Sequence, residues 1–206
     1  DWLYIESSNI VDIYALSAAL DCAAEKKRIV RSTIVSELLS QHPSIEEIGF
    51  PSSQDTLVKV DIDNSLSFDK KVEEICTLIG ENYTKPDNLS LYQAVAHPHV
   101  LECLKEGKYA LLYLKDNKSN SLDLLFLDEV CRMLMSRGIK IASIGDNVIP
   151  CIRGTLDLRG ILTLSEILRA ADSAPFLISN NDDLVSFANI RGVHSYHIEQ
   201  NEDIIN

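Results

Sequence analysis

The sequence predicts an α/β protein built from two Rossmann-like domains with parallel sheets, the N-terminal one reduced. Three observations predict it. Short apolar runs alternate with segments of helical periodicity along the whole chain, and such alternation implies parallel strands joined by crossover helices. The stretch "TKPDNLSLYQAVAHPHV" interrupts the alternation at mid-chain with prolines and turn formers. The length, 206 residues, accommodates two domains of about 100 residues each. The expected division is 1–95 and 96–206.

In the first half, "WLYIES" reads as a buried strand. "IVDIYALSAALDCAAEKK" follows with Ile13, Leu16, Leu20 and Ala23 at helical spacing. "RIVRS" is a second strand, and Thr33 opens a helix stopped by Pro43. "SIEEIGFP" reads as a short connection. "DTLVKVDID" alternates as a strand does, and "SFDKKVEEICTLIGENY" places Val72, Ile75, Leu78 and Ile79 on one helical face.

The second half repeats the pattern more clearly. "KYALLYLKD" is a strand, and "LDLLFLDEVCRMLMSRG" a helix closed by Gly138. "IKIASIGD" is a strand running into a turn. In "TLSEILRAAD" Thr163 caps a helix and Glu166, three residues on, completes a capping box. "APFLISN" is a strand, "DDLVSFANIRG" a helix ending near Gly192, and "VHSYHIE" a last strand. Sheets of this type bind ligands beyond the carboxyl ends of their strands. Those ends carry Ser7–Asp12, Lys115–Ser121, Gly145–Asn147 and Ser179–Asp183.

Composition narrows the function. A net charge of −12 repels phosphate backbones and argues against wrapping duplex nucleic acid. No apolar run reaches the roughly 18 residues of a membrane span. The acidic start lacks the basic region of a signal peptide. The first residue is Asp1 rather than Met, which suggests a trimmed terminus. Five cysteines, Cys22, Cys76, Cys103, Cys131 and Cys151, are widely spaced with no CxxC pair; they read as thiols of a reducing cytosol. His97 and His99 in "HPH" would need partners from elsewhere to hold zinc. His194 and His197 alternate faces of one strand and cannot share a metal. No metal or cofactor is expected. Hydrolase, P-loop and dinucleotide signatures are missing.

The order of segments resembles the bacterial heptosyltransferases, family nine of the glycosyltransferases, with their two-domain GT-B fold. The family's "GxxVvxiG", "DLxGkTsLxELaxLi" and "fiGnDSGpmHlAaAlGvP" find counterparts in "RGIKIASIG", "DLRGILTLSEILRAAD" and "FLISNNDDLVSFANIRGV". More loosely, "IESSNIVDIYALSAAL" is similar to the family's first strand, GD loop and helix, and "SELLSQHPSIEEIGF" to its "ellxxnPxvdevi". The chain is shorter than usual for the family, chiefly in its acceptor-side half.

The resemblance implies transfer of a sugar from a nucleotide-sugar donor to an acceptor hydroxyl. Asp12 would be the general base; the other reading is that Asp12 caps its helix. Lys118, Ser119, Ser121, Thr163, Glu166, Asn181, Asp182 and Asp183 would face the donor. For Asn181–Asp183 the plainer reading is again a helix cap. The departures are specific. Val11 stands in place of Gly, and Ile161 in place of the "GkT" Lys. Asn181, Asp182 and Asp183 replace "DSG", and Ser186 replaces the His. Two carboxylates at that turn repel a diphosphate. A second expectation is therefore a non-catalytic descendant of the fold, a binding or assembly subunit in a homo-oligomer or with a partner protein.

Overall fold

The computed structural model describes residues 1–7, 9–83, 95–115 and 124–198, with residues 33 and 34 through their backbone. The chain forms two compact units, Asp1–Ala94 and Val95–Asn206.

The first unit runs β1 (Trp2–Ile5), α1 (Ile10–Asp21), β2 (Lys27–Val30), α2 (Thr33–Leu39), β3 (Ile45–Gly49), β4 (Leu57–Val60) and α3 (Phe68–Leu78). Its four strands are all parallel, in the order β3-β2-β1-β4. Every residue of α1 from Ile10 to Leu20 is buried. A helix apolar on all sides belongs inside a protein, and the stripe at Ile13, Leu16 and Leu20 is only part of that surface. Helix α3 is amphipathic and buries Lys71, Val72, Ile75 and Cys76. Tyr14 of α1 stacks on Phe68 of α3 with ring centroids 5.4 Å apart.

The second unit runs α4 (Pro98–Glu106), β5 (Ala110–Tyr113), α5 (Leu124–Ser136), β6 (Ile141–Ile144), β7 (Leu156–Asp157), α6 (Leu164–Ser173), β8 (Leu177–Ser179), α7 (Asp182–Ile190) and β9 (Ser195–His197). Its five strands are also parallel, in the order β7-β6-β5-β8-β9. Ala110, Leu112, Ile141 and Ile178 pack with Leu127 and Cys131 of α5. Leu111, Leu168, Leu177 and Phe187 are also fully buried. The α/β class with two Rossmann-like parallel sheets holds. Among the described residues no helix is long and apolar enough to cross a membrane.

Three elements differ from the sequence reading. "SIEEIGFP" is not a connection but contains β3. This edge strand carries exposed Glu46 and Glu47, charges that suit an edge and blur the period of two. The stretch read as a linker ends in a helix, α4, with Pro98 in its first turn, a position that needs no N–H. The strand β7, two exposed residues at Leu156–Asp157, has no counterpart in the sequence reading because it is too short for any periodicity.

In both sheets the chain moves one way through three strands and then returns to the other side of the first. The direction therefore switches between β1 and β4 and between β5 and β8, and crevices at such points take ligands. The tips of the second sheet are tightly built. Gly145, just past β6, has φ +97°, and a Cβ there would lie 2.8 Å from the Tyr113 ring. Gly145→Ala combines a disfavoured backbone with overpacking. It is expected to lower stability by about 2 kcal/mol or more, measured by chemical denaturation.

Candidate functional site

At the tip of β1 the chain turns into α1 through Asn9, whose Oδ1 accepts from the Val11 N–H at 2.7 Å. Asn9 is therefore the cap, and Asp12 is left for another task. Its carboxylate is 1% exposed. Oδ1 accepts from the Lys71 ammonium at 2.6 Å, and Oδ2 accepts from the Ser7 hydroxyl at 2.6 Å. Ser7 Oγ in turn accepts from the Asn9 N–H at 3.0 Å. Lys71 comes from the first turn of α3, just beyond β4, so the pair spans the point where the sheet reverses direction.

Sequence reasoning missed Lys71. The signal was present: Lys71 lies four residues before Ile75, on the buried stripe of α3. A lysine on such a stripe implies a buried anion.

Beyond β2 and β3 lies an open hollow of about 510 Å³ lined by Arg31, Ser32, Ser36, Glu37 and Phe50. The Phe50 ring is 75% exposed. Ser36 Oγ is buried and has no hydrogen-bond partner among the described residues.

In the second unit Thr163 and Glu166 meet as expected of a capping box. Thr163 Oγ1 accepts from the Glu166 N–H at 3.3 Å, and Glu166 Oε2 accepts from the Thr163 N–H at 3.0 Å. Glu166 is fully buried and does more. Its Oε1 accepts from the His97 N–H, and its Oε2 lies 3.1 Å from His97 Nδ1. One carboxylate thus ties the start of α4 to the start of α6. Burial pushes the Glu166 carboxyl up, but the hydrogen bonds from Thr163 and His97 outweigh it and hold it at about 2.

Asn181 caps α7, its Oδ1 accepting from the Leu184 N–H at 2.8 Å. The Asp182 side chain is 86% exposed and pairs with His197 Nε2 at 3.1 Å. Asp183 and Asp146 both act on Tyr113, whose phenol is pushed up first by burial and then by these two charges. Asn180, also missed, clips the reversal point. Its Oδ1 accepts from the Lys115 N–H at 2.7 Å and its Nδ2 donates to the Lys115 carbonyl at 2.9 Å. Lys118, Ser119 and Ser121 lie outside the described residues. Among the described residues no group of three His, Cys, Asp or Glu is arranged to hold a metal ion.

No family model matches the chain, and no curated protein matches it by sequence. Solved structures do. A family 9 glycosyl transferase from Veillonella parvula DSM 2008 superposes with a TM-score of 0.63 at 9% identity, over 94% of this chain and 78% of that one. The fold is that of the family 9 glycosyltransferases. The E. coli heptosyltransferase WaaC, solved with ADP, gives 0.62 at 13% identity over 94% and 85%. The dodecameric iron-containing glycosyltransferase TibC from E. coli H10407 gives 0.55 at 16%. This chain spans only 56% of TibC. The heptosyltransferase resemblance drawn from the sequence therefore holds as a likeness of fold.

Two tests follow from the buried carboxylates. Lys71→Met strands the Asp12 charge and is expected to cost about 3–5 kcal/mol. Lys71→Met combined with Asp12→Leu is expected to recover most of it, as read by urea unfolding. Glu166 titrates lower in the folded than in the unfolded chain, so its contribution is complete above the ordinary value of 4.5 and is lost as pH falls toward 2. Stability of the second unit is expected to drop by roughly 3 kcal/mol across that window. Glu166→Gln should flatten the drop.

Proposed function

We propose that the protein is a glycosyltransferase-like protein that moves a sugar from a nucleotide-sugar donor to an acceptor hydroxyl, with Asp12 as the general base. The observation that carries this reading is the Ser7–Asp12 hydrogen bond at 2.6 Å. At the tip of β1, beside the reversal point, Asp12 Oδ2 already receives an alcohol O–H. An acceptor hydroxyl that replaced Ser7 Oγ would meet the same oxygen. As the acceptor oxygen bonds to the sugar's anomeric carbon, the bond from that carbon to the donor phosphate breaks and Asp12 takes the proton. Lys71 stays beside the other carboxylate oxygen and fixes its direction. The Arg31–Phe50 hollow supports an acceptor on this unit, since an exposed ring beside charged and hydroxyl groups suits a polar ring-shaped guest.

The donor belongs to the second unit. Lys118, Ser119 and Ser121 follow β5, Thr163 and Glu166 open α6, and Asn181, Asp182 and Asp183 open α7. Thr163, Glu166 and Asn181 would act there through the backbone they hold in place. The domains are thus an acceptor-side unit, 1–95, and a donor-side unit, 96–206, working in the cytoplasm, where thiols stay reduced.

A second reading, a non-catalytic binding or assembly subunit in a homo-oligomer or with a partner protein, is favoured by one specific observation. Both oxygens of Asp12 are engaged and its side chain is sealed from solvent. Thermal shift with ADP-, UDP- and GDP-sugars separates the two. A ligand at 100 times its Kd adds about 2.7 kcal/mol of stability. The transferase reading expects a shift with one of them, and Asp12→Asn should then abolish transfer while the shift remains. Absence of any shift supports the subunit reading.

A further inference from the structure

We propose that Cys22 and Cys76 are a redox-active thiol pair that hydroperoxides close into a disulfide, stapling α1 to α3. The inference is independent of the transferase reading. Cys22 forms the C-cap of α1, and its Sγ donates to the Ala18 carbonyl at 3.7 Å. It is half-buried, while Cys76 on α3 is fully buried. The helix ends that carry them meet: the Ala24 N–H donates to Glu81 Oε1 at 3.1 Å, the Glu81 N–H donates to the Cys76 carbonyl at 2.8 Å, and Cys22 acts on the Cys76 thiol across this interface. That interface is held in register by the Asp12–Lys71 ion pair and the Tyr14–Phe68 stack. The other three cysteines belong to the second unit.

The environments assign an order of events. Burial pushes the Cys76 thiol up to about 12, with Cys22 and Glu81 adding to the effect, so Cys76 keeps its proton and does not meet the oxidant first. The accessible Cys22 does. Its thiolate attacks a peroxide oxygen, the S–O bond forms, the O–O bond breaks, and hydroxide leaves to take a proton as water. Cys76 sulfur then attacks the Cys22 sulfur. The S–S bond forms, the S–O bond breaks, and the Cys76 proton departs with the hydroxyl as a second water. Two thiols are oxidised and one peroxide is reduced. The buried attacking thiol makes the second step slow, because exchange follows thiolate fraction.

The test treats the native full chain with a few equivalents of hydrogen peroxide, blocks remaining thiols by alkylation, and digests with a glutamate-specific protease. The expected product is fragment Ser7–Glu25 linked to Ile75–Glu81, with two of the five thiols lost to alkylation and restored by dithiothreitol. Cys22→Ser should leave Cys76 reduced under the same treatment. Cys22 advancing to sulfinic acid while Cys76 remains alkylatable would overturn the proposal. So would linkage of either residue to Cys103, Cys131 or Cys151.

Discussion

The ion pair between Asp12 and Lys71 constrains the first unit more than any other contact. Both side chains are almost wholly removed from water, 1% and 6% exposed, and taking two charges out of water costs several kcal/mol per ion unless their geometry is good. Here each carboxylate oxygen has a partner and the ammonium sits at 2.6 Å. The pair also fixes direction. α1 is apolar on every side and could rotate or slide against α3 at little cost. A single buried charge that finds its counter-ion in only one register removes that freedom. The Tyr14–Phe68 stack and the Ala24–Glu81 hydrogen bond then fall into place along the same interface. A polar constraint at a strand tip thereby orders an interface that is otherwise apolar.

The second unit solves a related problem with hydrogen bonds. Helix starts leave free N–H groups that need acceptors. Glu166 supplies acceptors to two helix starts at once, at His97 and Thr163. Asn180 does the same for the β5 and β8 tips by pairing with both backbone groups of Lys115. These contacts hold the loops at the carboxyl edge of the sheet in defined positions, as a ligand-binding edge requires. They also engage the very polar groups that such an edge would otherwise offer to a guest. One arrangement serves both proposed readings. What separates them is whether a ligand can recruit backbone N–H groups and outer side chains that the scaffold leaves over.

Much of this was legible in the sequence where local chemistry decides. Thr163 and Glu166 stand three residues apart before an apolar run, and the capping box is there. The strands β5, β6 and β8 are short, mostly apolar and buried, with Ser143 and Ser179 as their polar members, and their parallel pairing follows from the helices between them. What could not be read depends on partners distant in the chain. β3 is a strand because β2 offers it a ladder, although Glu46 and Glu47 hide its pattern. α4 opens on a proline in a stretch rich in turn formers, and Glu166, 69 residues from His97, secures its start. Asp12 stands at a strand tip where either a cap or a base fits the sequence, and Asn9 performs the capping. Lys71 could have been suspected from its place on an apolar stripe, though nothing local named Asp12 as the reason.

The contrast between the two units bears on what each can hold. In the first, the acid at the strand tip is neutralised by a buried cation, and Arg31 lines the hollow beyond β2 and β3. In the second, Asp146 and Asp183 act together on Tyr113, and Asp182 points outward at the same edge beside His197. α7 tolerates the acids because the partial positive charge at a helix start offsets them. The same offset reduces what that helix can give to a phosphate, since carboxylates already occupy the favourable potential. In the proposed transferase, a donor phosphate would therefore have to find its positive charge elsewhere than at the start of α7. On that reading the acidic turn moves the task of holding phosphate away from α7.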